Sequence, residues 1–350
     1  MKLRCWWSNM RLDILNFIKS CPICQIVDTK SGTIAPLNPL SPAKTAFSRW
    51  GIDFIGQLPT TQKGNKWIIL AIDHQTNWIV ASATSDAKAD TVIKFLHEKI
   101  FLQFGSPKEI ISDRGTQFTS DLMKKYLETI GVKHNLTSSY HPMANGKTER
   151  ANGVIGRALT KLSQNHKTKW DLFLDQAVWA TRVRQHSVTK VSPYFLVYGI
   201  DPRLPGDQIN PFLSHDYNQT NAIDETSKRL ITVTNARIDA REEQLTAANK
   251  MKAQYNKNAN ETKYPLGSWV LIKNETKKKL DPNFLGPFKV VYYGPFHTYK
   301  LETVNGMQLK TLVNHNRLRQ ANVSSEEKLK PWTKQPKSKA NGNGLIPDGE

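Results

Sequence analysis

The order of apolar segments between residues 48 and 205 is the feature that most constrains how this chain can fold. Three apolar segments separated by turn residues come first and predict three neighbouring strands. Segments whose apolar spacing alternates between that of a helix and that of a short buried strand follow them. This order predicts an α/β domain with a mixed sheet of five strands. The predicted strands are 49–57, 67–72, 78–83, 109–112 and 132–138.

The helices of this domain are predicted from apolar residues that recur three or four positions apart. The first face contains Val92, Phe95, Leu96 and Ile100, and the second contains Leu122, Tyr126, Leu127 and Ile130. A third helix begins after Asn145, and a fourth runs from Trp170 to Arg184.

The rest of the chain divides into shorter segments. Aromatic and aliphatic residues at helical spacing open it, and alternating apolar residues with an Asn305-Gly306 hairpin turn mark a small β-barrel near its end. We predict, in order, a helical segment (1–36), a linker (37–47), the α/β domain (48–205), a linker with a long helix (206–262), the small β-barrel (263–320) and a disordered basic tail (321–350).

The charge balance limits the partners of this chain. Its formal net charge is +19, and a protein this basic usually binds a polyanion, most often nucleic acid. Solubility conferred by surface lysines is the alternative, and an anionic membrane is a weaker one. The sequence has no apolar segment of 18 residues and no signal segment, so we expect no membrane partner. Three cysteines exclude a disulfide framework and fit a reducing compartment.

Three carboxylates stand at positions where chemistry is expected. Asp53 lies inside the apolar strand WGIDFIG, Asp113 directly follows the strand EIIS, and Glu149 opens the helix after Asn145. Each has an ordinary explanation taken alone: an ion pair with a lysine, a turn, and an acid that stabilises a helix N-terminus.

Taken together, the three acids favour a metal site. Carboxylates on neighbouring elements of one domain repel one another, and divalent cations remove that cost. Oxygen ligands suit Mg²⁺ or Mn²⁺, and two such ions about 4 Å apart can activate an attacking oxygen and stabilise a leaving one in phosphoryl transfer.

The spacing and the words around these acids resemble those of a known family. Asp53, Asp113 and Glu149 are separated by 59 and then 35 residues, which resembles the D,D(35)E pattern of retroviral and retrotransposon integrases. The words GSPKEIISDRGTQFTS, SYHPMANGKTERANG and SPYFLVYGIDPRLP resemble that family too, and LGPFKVV resembles the GPY/F module of gypsy-type elements.

The resemblance implies a fold and an activity. It implies a ribonuclease H-like core, a C-terminal SH3-like barrel, and the three acids as ligands of two Mg²⁺ or Mn²⁺ ions. The expected reaction is 3′-end processing followed by strand transfer, which joins element DNA to target DNA. We therefore expect DNA as the partner, with RNA as a second candidate, a homo-oligomer, and action in the nucleus.

Some positions depart from the family pattern. Lys147 stands where glutamine is common, and Met143-Ala144 where a polar pair is common. Gly153 and Gly156 lie inside the helix that carries Glu149, at a cost of about 1 kcal/mol each relative to alanine. They could permit a close approach of DNA or mark a decayed copy.

Basic residues beside the acids are the candidate DNA contacts. Arg114, Lys147 and Arg150 flank them, and phosphate contacts of this kind supply affinity without sequence choice. Lys124 and Lys125 fit surface solubility at least as well. Asp73 is a rival carboxylate, but it breaks the family spacing, and we interpret it as a turn residue.

The cysteines give only part of a zinc site. Cys21 and Cys24 form a C-x-x-C, which in the family is half of a His₂Cys₂ site, but the first histidine of the chain is His74. Cys5 could supply a third thiolate. We therefore expect a truncated zinc domain that does not bind zinc, and its alternative is a helical remnant packed through Trp6, Ile14 and Phe17.

Two further functions remain open. A catalytically inactive or domesticated nucleic-acid-binding protein would explain the missing histidines and the two helical glycines. A ribonuclease H-like nuclease or transposase could use the same acids, although the LGPFKVV module argues against it.

Overall fold

The structure of this chain is a computed structural model that divides into two compact units. The core unit comprises residues 39–251 apart from 138–140, and the second unit comprises 1–38, 138–140 and 252–350. No helix among the residues that the structure describes is both long and apolar enough to cross a membrane. The described residues are 6–30, 32–37, 39–137, 146–205, 207, 219–257, 259, 262–323 and 329–333.

The described helices and strands are numbered along the chain. The helices are α1 (Met10–Ser20), α2 (Pro22–Val27), α3 (Ala89–Leu96), α4 (Leu102–Phe104), α5 (Thr116–Thr119), α6 (Asp121–Thr129), α7 (Gly146–Leu162), α8 (Leu174–Val183), α9 (Pro193–Tyr198) and α10 (Gln219–Asn256). A π-helical turn (His97–Phe101) joins α3 to α4, and 3₁₀ turns lie at Lys167–Phe173 and His315–Arg317. The strands are β1 (Arg49–Gly56), β2 (Trp67–Asp73), β3 (Ile79–Thr84), β4 (Glu109–Ser112), β5 (Lys133–Leu136), β6 (Trp269–Lys273), β7 (Phe284–Gly294), β8 (Thr298–Thr303), β9 (Val313–Asn314) and β10 (Leu318–Gln320).

The core unit is built on a five-stranded mixed sheet, which confirms the predicted fold class. Its strand order is β3-β2-β1-β4-β5. The first three strands are antiparallel because short turns connect them, whereas β4 and β5 are reached through helices and lie parallel to β1.

The two faces of this sheet carry different helices. Alternate residues of β2 point to opposite faces: Ile69 and Ala71 pack with α3, α5 and α6, whereas Ile68 and Leu70 pack with α7 and α8. On the second face three buried apolar residues of α7 recur at helical spacing, so hydrophobic packing fixes the helix that carries Glu149. Those residues are Ala151, Ile155 and Leu159.

Helix α10 belongs to the core unit as far as Met251, although the sequence placed it in a linker segment. Val233 and Ala240 are buried, but Leu230, Ile231 and Ile238 are largely exposed. Polar contacts therefore contribute much of its attachment to the core.

The second unit contains an antiparallel sheet of order β10-β6-β7-β8-β9 over an apolar core that includes Val270, Phe288 and Leu301. The Asn305-Gly306 turn is present, and after it the chain pairs with β8 through the isolated bridge of Glu302 with Gln308. Leu309 is buried in the same apolar core, and its N–H donates to the Leu301 carbonyl of β8 at 2.8 Å.

The N-terminal segment packs on this sheet within the second unit. Gln25 exchanges two hydrogen bonds with Asn322, at 3.0 and 2.8 Å, and Ile26 joins a cluster with Leu271 and Phe284. The expected packing through Trp6 and Phe17 is wrong, because these side chains are 77% and 71% exposed.

Two polar contacts extend this attachment. Arg319 forms an ion pair with Asp28 at 2.8 Å, and Thr33 Oγ1 lies 2.8 Å from His315 Nε2. Of the predicted tail, Ala321 is buried and Trp332 N–H donates to the Gly286 carbonyl at 3.0 Å. Residues 334–350 lie outside the described part of the chain.

Candidate metal centre and its surroundings

Asp53 lies in the middle of β1 and is half-buried. Its Oδ1 accepts a hydrogen bond from the Phe54 amide at 2.8 Å. The parallel pairing of β1 with β4 ends at Gly51 opposite Ile111. Asp53 stands two residues after Gly51 in β1, and Asp113 stands two residues after Ile111, just beyond the end of β4, so the register places the two acids level.

Asp113 follows the last residue of β4, where α/β sheets commonly place functional groups. Its side chain is exposed, and its Oδ1 accepts a hydrogen bond from the Gly115 N–H at 2.9 Å. This bond closes a small turn and leaves the second carboxylate oxygen available to a ligand.

Glu149 lies in the first turn of α7, and the close packing of that turn on β1 sets its position. Gly51 is the residue of β1 beneath it. A Cβ atom at Gly51 would come within 2.2 Å of Thr148 Oγ1 and 2.9 Å of His74 Nε2. Glycine therefore lets the first turn of α7 approach the strand that carries Asp53.

Asp113 and Glu149 both act electrostatically on Asp53. Burial raises the pKa of Asp53 to about 6, and the negative charges of Asp113 and Glu149 add to that rise. Burial also raises the pKa of Glu149. The structure thus brings both other carboxylates within electrostatic reach of Asp53.

The donor set suits a hard divalent cation. Carboxylate oxygens from β1, from the end of β4 and from α7 are the ligands that Mg²⁺ and Mn²⁺ prefer, and a cation there would relieve the repulsion at Asp53. The described residues contain no closed group of three His, Cys, Asp or Glu side chains in metal-binding positions. Asp53, Asp113 and Glu149 therefore do not form a closed group of metal ligands in this structure.

Asn152 is a site residue that the sequence analysis missed. It lies three residues after Glu149 on the same face of α7, and its Nδ2 donates to Asp53 Oδ2 at 2.9 Å. It fixes the orientation of the Asp53 carboxylate and opposes the rise in the Asp53 pKa. The i, i+3 spacing from Glu149 was the available signal.

The three candidate DNA contacts differ in position. Arg114 and Arg150 are exposed beside the acids, and Arg114 Nε donates to the Thr137 carbonyl at 3.1 Å. Lys147 points inward: its Nζ donates to the His74 carbonyl and to Gln244 Oε1, the latter at 3.3 Å. Burial lowers the pKa of Lys147 to about 8, and the nearby charge of Asp73 opposes that change.

The turn between β2 and β3 is polar but fully buried. Asp73 accepts hydrogen bonds from the Phe47 amide at 3.0 Å and from the amide and hydroxyl of Thr76 at 2.8 and 2.7 Å. These bonds use both carboxylate oxygens inside the protein, so the rival carboxylate has the structural role expected of a turn residue. The buried residues of the turn are Asp73, His74, Gln75, Thr76 and Asn77.

The zinc residues also lie in the second unit. Cys21 precedes α2, and Cys24 lies within it. Hydrogen bonds from Cys24 lower the pKa of Cys21, and the shared thiol hydrogen bond raises the pKa of Cys24. Within the described residues these two thiols have no third His, Cys, Asp or Glu ligand beside them, whereas a structural zinc ion normally takes four ligands. Cys5 lies outside the described residues.

Comparison with known families assigns this architecture. The family model described as "Integrase core domain" matches residues 43–142, and that described as "Integrase zinc binding domain" matches residues 1–30. Residues 43–142, which contain the five strands of the mixed sheet, therefore match an integrase core domain. Such domains belong to retroviral and retrotransposon integrases, which are divalent-metal-dependent polynucleotidyl transferases.

The similar curated proteins include retrotransposon polyproteins. The chain is 28% identical over 324 residues to the retrovirus-related Pol polyprotein from transposon 412 of Drosophila melanogaster, covering 91% of this chain and 26% of the polyprotein. It is 25% identical over 305 residues to the transposon Tf2-3 polyprotein of Schizosaccharomyces pombe, covering 85% of this chain and 22% of that protein. This chain is therefore similar over most of its length to retrotransposon Pol polyproteins, and it spans about a quarter of their length.

A solved structure supports the fold. A chain of the simian T-cell lymphotropic virus intasome, in complex with the PP2A regulatory subunit B56 gamma, matches with a TM-score of 0.55 and 14% identity. The match covers 90% of this chain and 92% of that one.

Proposed function

We propose that this chain joins the ends of retrotransposon DNA to target DNA by metal-dependent polynucleotidyl transfer. The observation that supports this proposal is the position of Asp53 in β1, of Asp113 after the end of β4 and of Glu149 in the first turn of α7, on a sheet that matches an integrase core domain. The net charge of +19 favours DNA as the substrate. RNA is not part of the proposal.

The reaction has two displacements at phosphorus. In the first, a water oxygen attacks a phosphodiester near the 3′ end of the element DNA. The 3′-oxygen of the retained strand leaves and takes up a proton to become a 3′-hydroxyl, and the terminal nucleotides depart with the phosphate, which carries the water oxygen. In the second, the new 3′-hydroxyl attacks a target phosphodiester, forms the joining bond, and the 3′-oxygen of the target strand leaves with a proton. No net oxidation or cofactor turnover is required.

Residues of this chain have distinct roles in that scheme. Asp53, Asp113 and Glu149 would hold two Mg²⁺ or Mn²⁺ ions, which supply Lewis-acid activation of the attacking and leaving oxygens. Asn152 keeps Asp53 Oδ2 in one orientation through its 2.9 Å hydrogen bond. Arg114 and Arg150 are exposed beside the acids and are suited to phosphate contacts.

Oligomerisation and cellular location follow from the substrate. Joining two element ends to one target requires more than one active site in register, which favours a homo-oligomer. Target DNA lies in the nucleus, so we place the reaction there.

An oligonucleotide assay tests the proposal. Labelled DNA with an element end is incubated with the chain in Mg²⁺ or Mn²⁺, and shortened and joined products are resolved by length. The Asp113→Asn variant should bind the same DNA and lose both products by about a hundredfold or more, since it removes a ligand charge. Equal joining by this variant would refute the metal assignment.

A second outcome would identify the alternative function. If the correctly folded chain binds DNA but yields neither product, it is a nucleic-acid-binding protein derived from an integrase. Hydrolysis without joining would instead indicate a nuclease that uses the same three acids.

A further inference from the structure

Of the three candidate DNA contacts, Lys147 is the one whose side chain points into the core unit. It lies two residues before Glu149 in the first turn of α7, and its ammonium donates to two oxygens inside the core unit. One is the backbone carbonyl of His74, and the other is Oε1 of Gln244.

The first acceptor belongs to a rigid part of the core. His74 is 6% exposed and opens the buried turn after β2. Its own N–H donates to the Arg49 carbonyl in β1 at 2.9 Å. Lys147 therefore connects the beginning of α7 to a turn that is itself bonded to the strand of Asp53.

The second acceptor comes from the long helix α10. Gln244 Nε2 donates to the Gln75 carbonyl at 2.8 Å, while its Oε1 accepts from Lys147. One side-chain amide thus bridges the buried turn and the first turn of α7. Through Gln244, a helix that the sequence placed in a linker contributes to the surroundings of the acids.

The neighbouring residue fixes the same helical turn from another side. Thr148 is fully buried, and its Oγ1 occupies the space above Gly51 that a Cβ would take. Two consecutive residues, Lys147 and Thr148, therefore hold the backbone immediately before Glu149. An error of about 1 Å in such a position can reduce a catalysed rate by about a hundredfold.

We propose that Lys147 is a positioning residue that sets the place of the Glu149 carboxylate, and that Gln244 of α10 supports it. The assignment rests on the proposed metal-dependent function of the same acids. Lys147 does not contact the transferred phosphate; it acts through the helix that carries Glu149.

The test compares four variants of the full chain. Lys147→Met removes the ammonium, Lys147→Gln keeps a hydrogen-bond donor, and Gln244→Leu removes the support from α10. Lys161→Met is the matched control, because Lys161 is an exposed lysine of the same helix. Each variant is measured for Mn²⁺ binding without DNA, for DNA affinity against salt, and for the single-turnover rate of joining at saturating DNA.

Lys147→Met should weaken Mn²⁺ binding and lower the joining rate by about tenfold or more, with DNA affinity and its salt slope unchanged. Lys147→Gln should recover part of both losses, and Gln244→Leu should give a smaller loss in the same direction. Lys161→Met should match the wild type in Mn²⁺ binding and joining. If Lys147→Met does not fold, Lys147→Gln and Gln244→Leu decide the question.

A phosphate contact predicts a different pattern. The salt slope of the DNA affinity would fall by about one charge, with Mn²⁺ binding unchanged, and that result would overturn the proposal. Wild-type Mn²⁺ binding and joining in the three test variants would overturn it as well. If the wild type itself joins no DNA, the proposed function fails separately, because the Mn²⁺ measurement still tests whether Lys147 positions Glu149.

Discussion

At the scale of single residues, the ionised Asp53 carboxylate destabilises the metal-free fold. It is half-buried in a strand, and two other negative charges act on it. Its pKa of about 6 lies above the ordinary value of 3.8, so the folded chain binds more protons there than the unfolded chain. Without metal, stability is therefore lost as the pH rises from about 4 to about 6 and stays lower above that range.

The Asp53→Asn variant should lack this loss. Relative to wild type, the free energy of unfolding of the metal-free variant should increase by roughly 1–3 kcal/mol between pH 4 and pH 7. Urea unfolding in a chelator at both pH values measures the difference. Adding Mg²⁺ at pH 7 should then stabilise the wild type more than the variant, and equal pH dependence of the two proteins would contradict the interpretation.

Replacing each of two glycines by alanine should change the stability of the core in opposite directions. Gly51→Ala places a Cβ within 2.2 Å of Thr148 Oγ1 and should destabilise the core by roughly 1–3 kcal/mol. Gly156→Ala, where a Cβ meets no atom within 4 Å, should stabilise it by about 1 kcal/mol. Thermal unfolding measures both changes.

DNA affinity of Gly156→Ala then decides between the two explanations of that glycine. Weaker binding by the more stable variant indicates a close approach of DNA to α7. Unchanged binding indicates that the glycine has no role in DNA contact.

At the scale of secondary-structure elements, α10 is fastened to the core mainly by side-chain hydrogen bonds. Arg237 Nε donates to the Leu196 carbonyl at 2.8 Å and its Nη2 to the Val197 carbonyl at 3.2 Å, near the end of α9. Gln75 Nε2 donates to the Arg237 carbonyl at 3.0 Å. Arg237 therefore both donates hydrogen bonds through its side chain and accepts one through its backbone carbonyl, all within one turn of α10.

Arg237→Met should therefore loosen α10. The two α9 carbonyls lose a charged donor, so the core should lose roughly 1–3 kcal/mol and the α10 amides should exchange hydrogen faster. Arg241→Met is the matched control, because Arg241 is an exposed arginine of the same helix. Equal exchange rates in the two variants would show that Arg237 does not fasten α10.

Sequence patterns predicted the helices and strands of the core unit better than the contacts between them. The strand at Glu109–Ser112 was predicted with its observed bounds, because an apolar run between turn residues is a local signal. The role of α10 was missed because it depends on hydrogen bonds between residues far apart in the sequence. Gln75 and its partner Arg237 are 162 residues apart, and Gln244 and its partner Lys147 are 97 residues apart. Such polar contacts have no periodicity to read.

In the candidate site, too, local signals could be predicted from the sequence and long-range contacts could not. Asp53, Asp113 and Glu149 could be proposed from their local words and spacing, whereas the inward direction of Lys147 could not, because a lysine beside acids has the same sequence pattern whether it binds phosphate or a carbonyl. The close approach at Gly51 likewise depends on which helix crosses the strand, which only the tertiary structure determines.

At the scale of the whole molecule, the division into two units separates two sets of stabilising contacts. The second unit joins the N-terminal segment to the C-terminal sheet through contacts between residues nearly 300 positions apart, such as Gln25 with Asn322. Because the second unit contains both the N-terminal and the C-terminal segments of the chain, each segment depends on contacts with the other for its stability.

Gln25→Leu should consequently lower the unfolding transition of the second unit and leave that of the core unit unchanged. Gln25 is 4% exposed, and its loss leaves the Asn322 N–H and carbonyl without their partner, at a cost of roughly 1–3 kcal/mol. Arg237→Met should give the reverse pattern. Calorimetry resolves the two transitions, which multidomain chains commonly show. A shift of both transitions by either variant would show that the units unfold together, so that damage to the N-terminal segment would also weaken the core that carries the three acids.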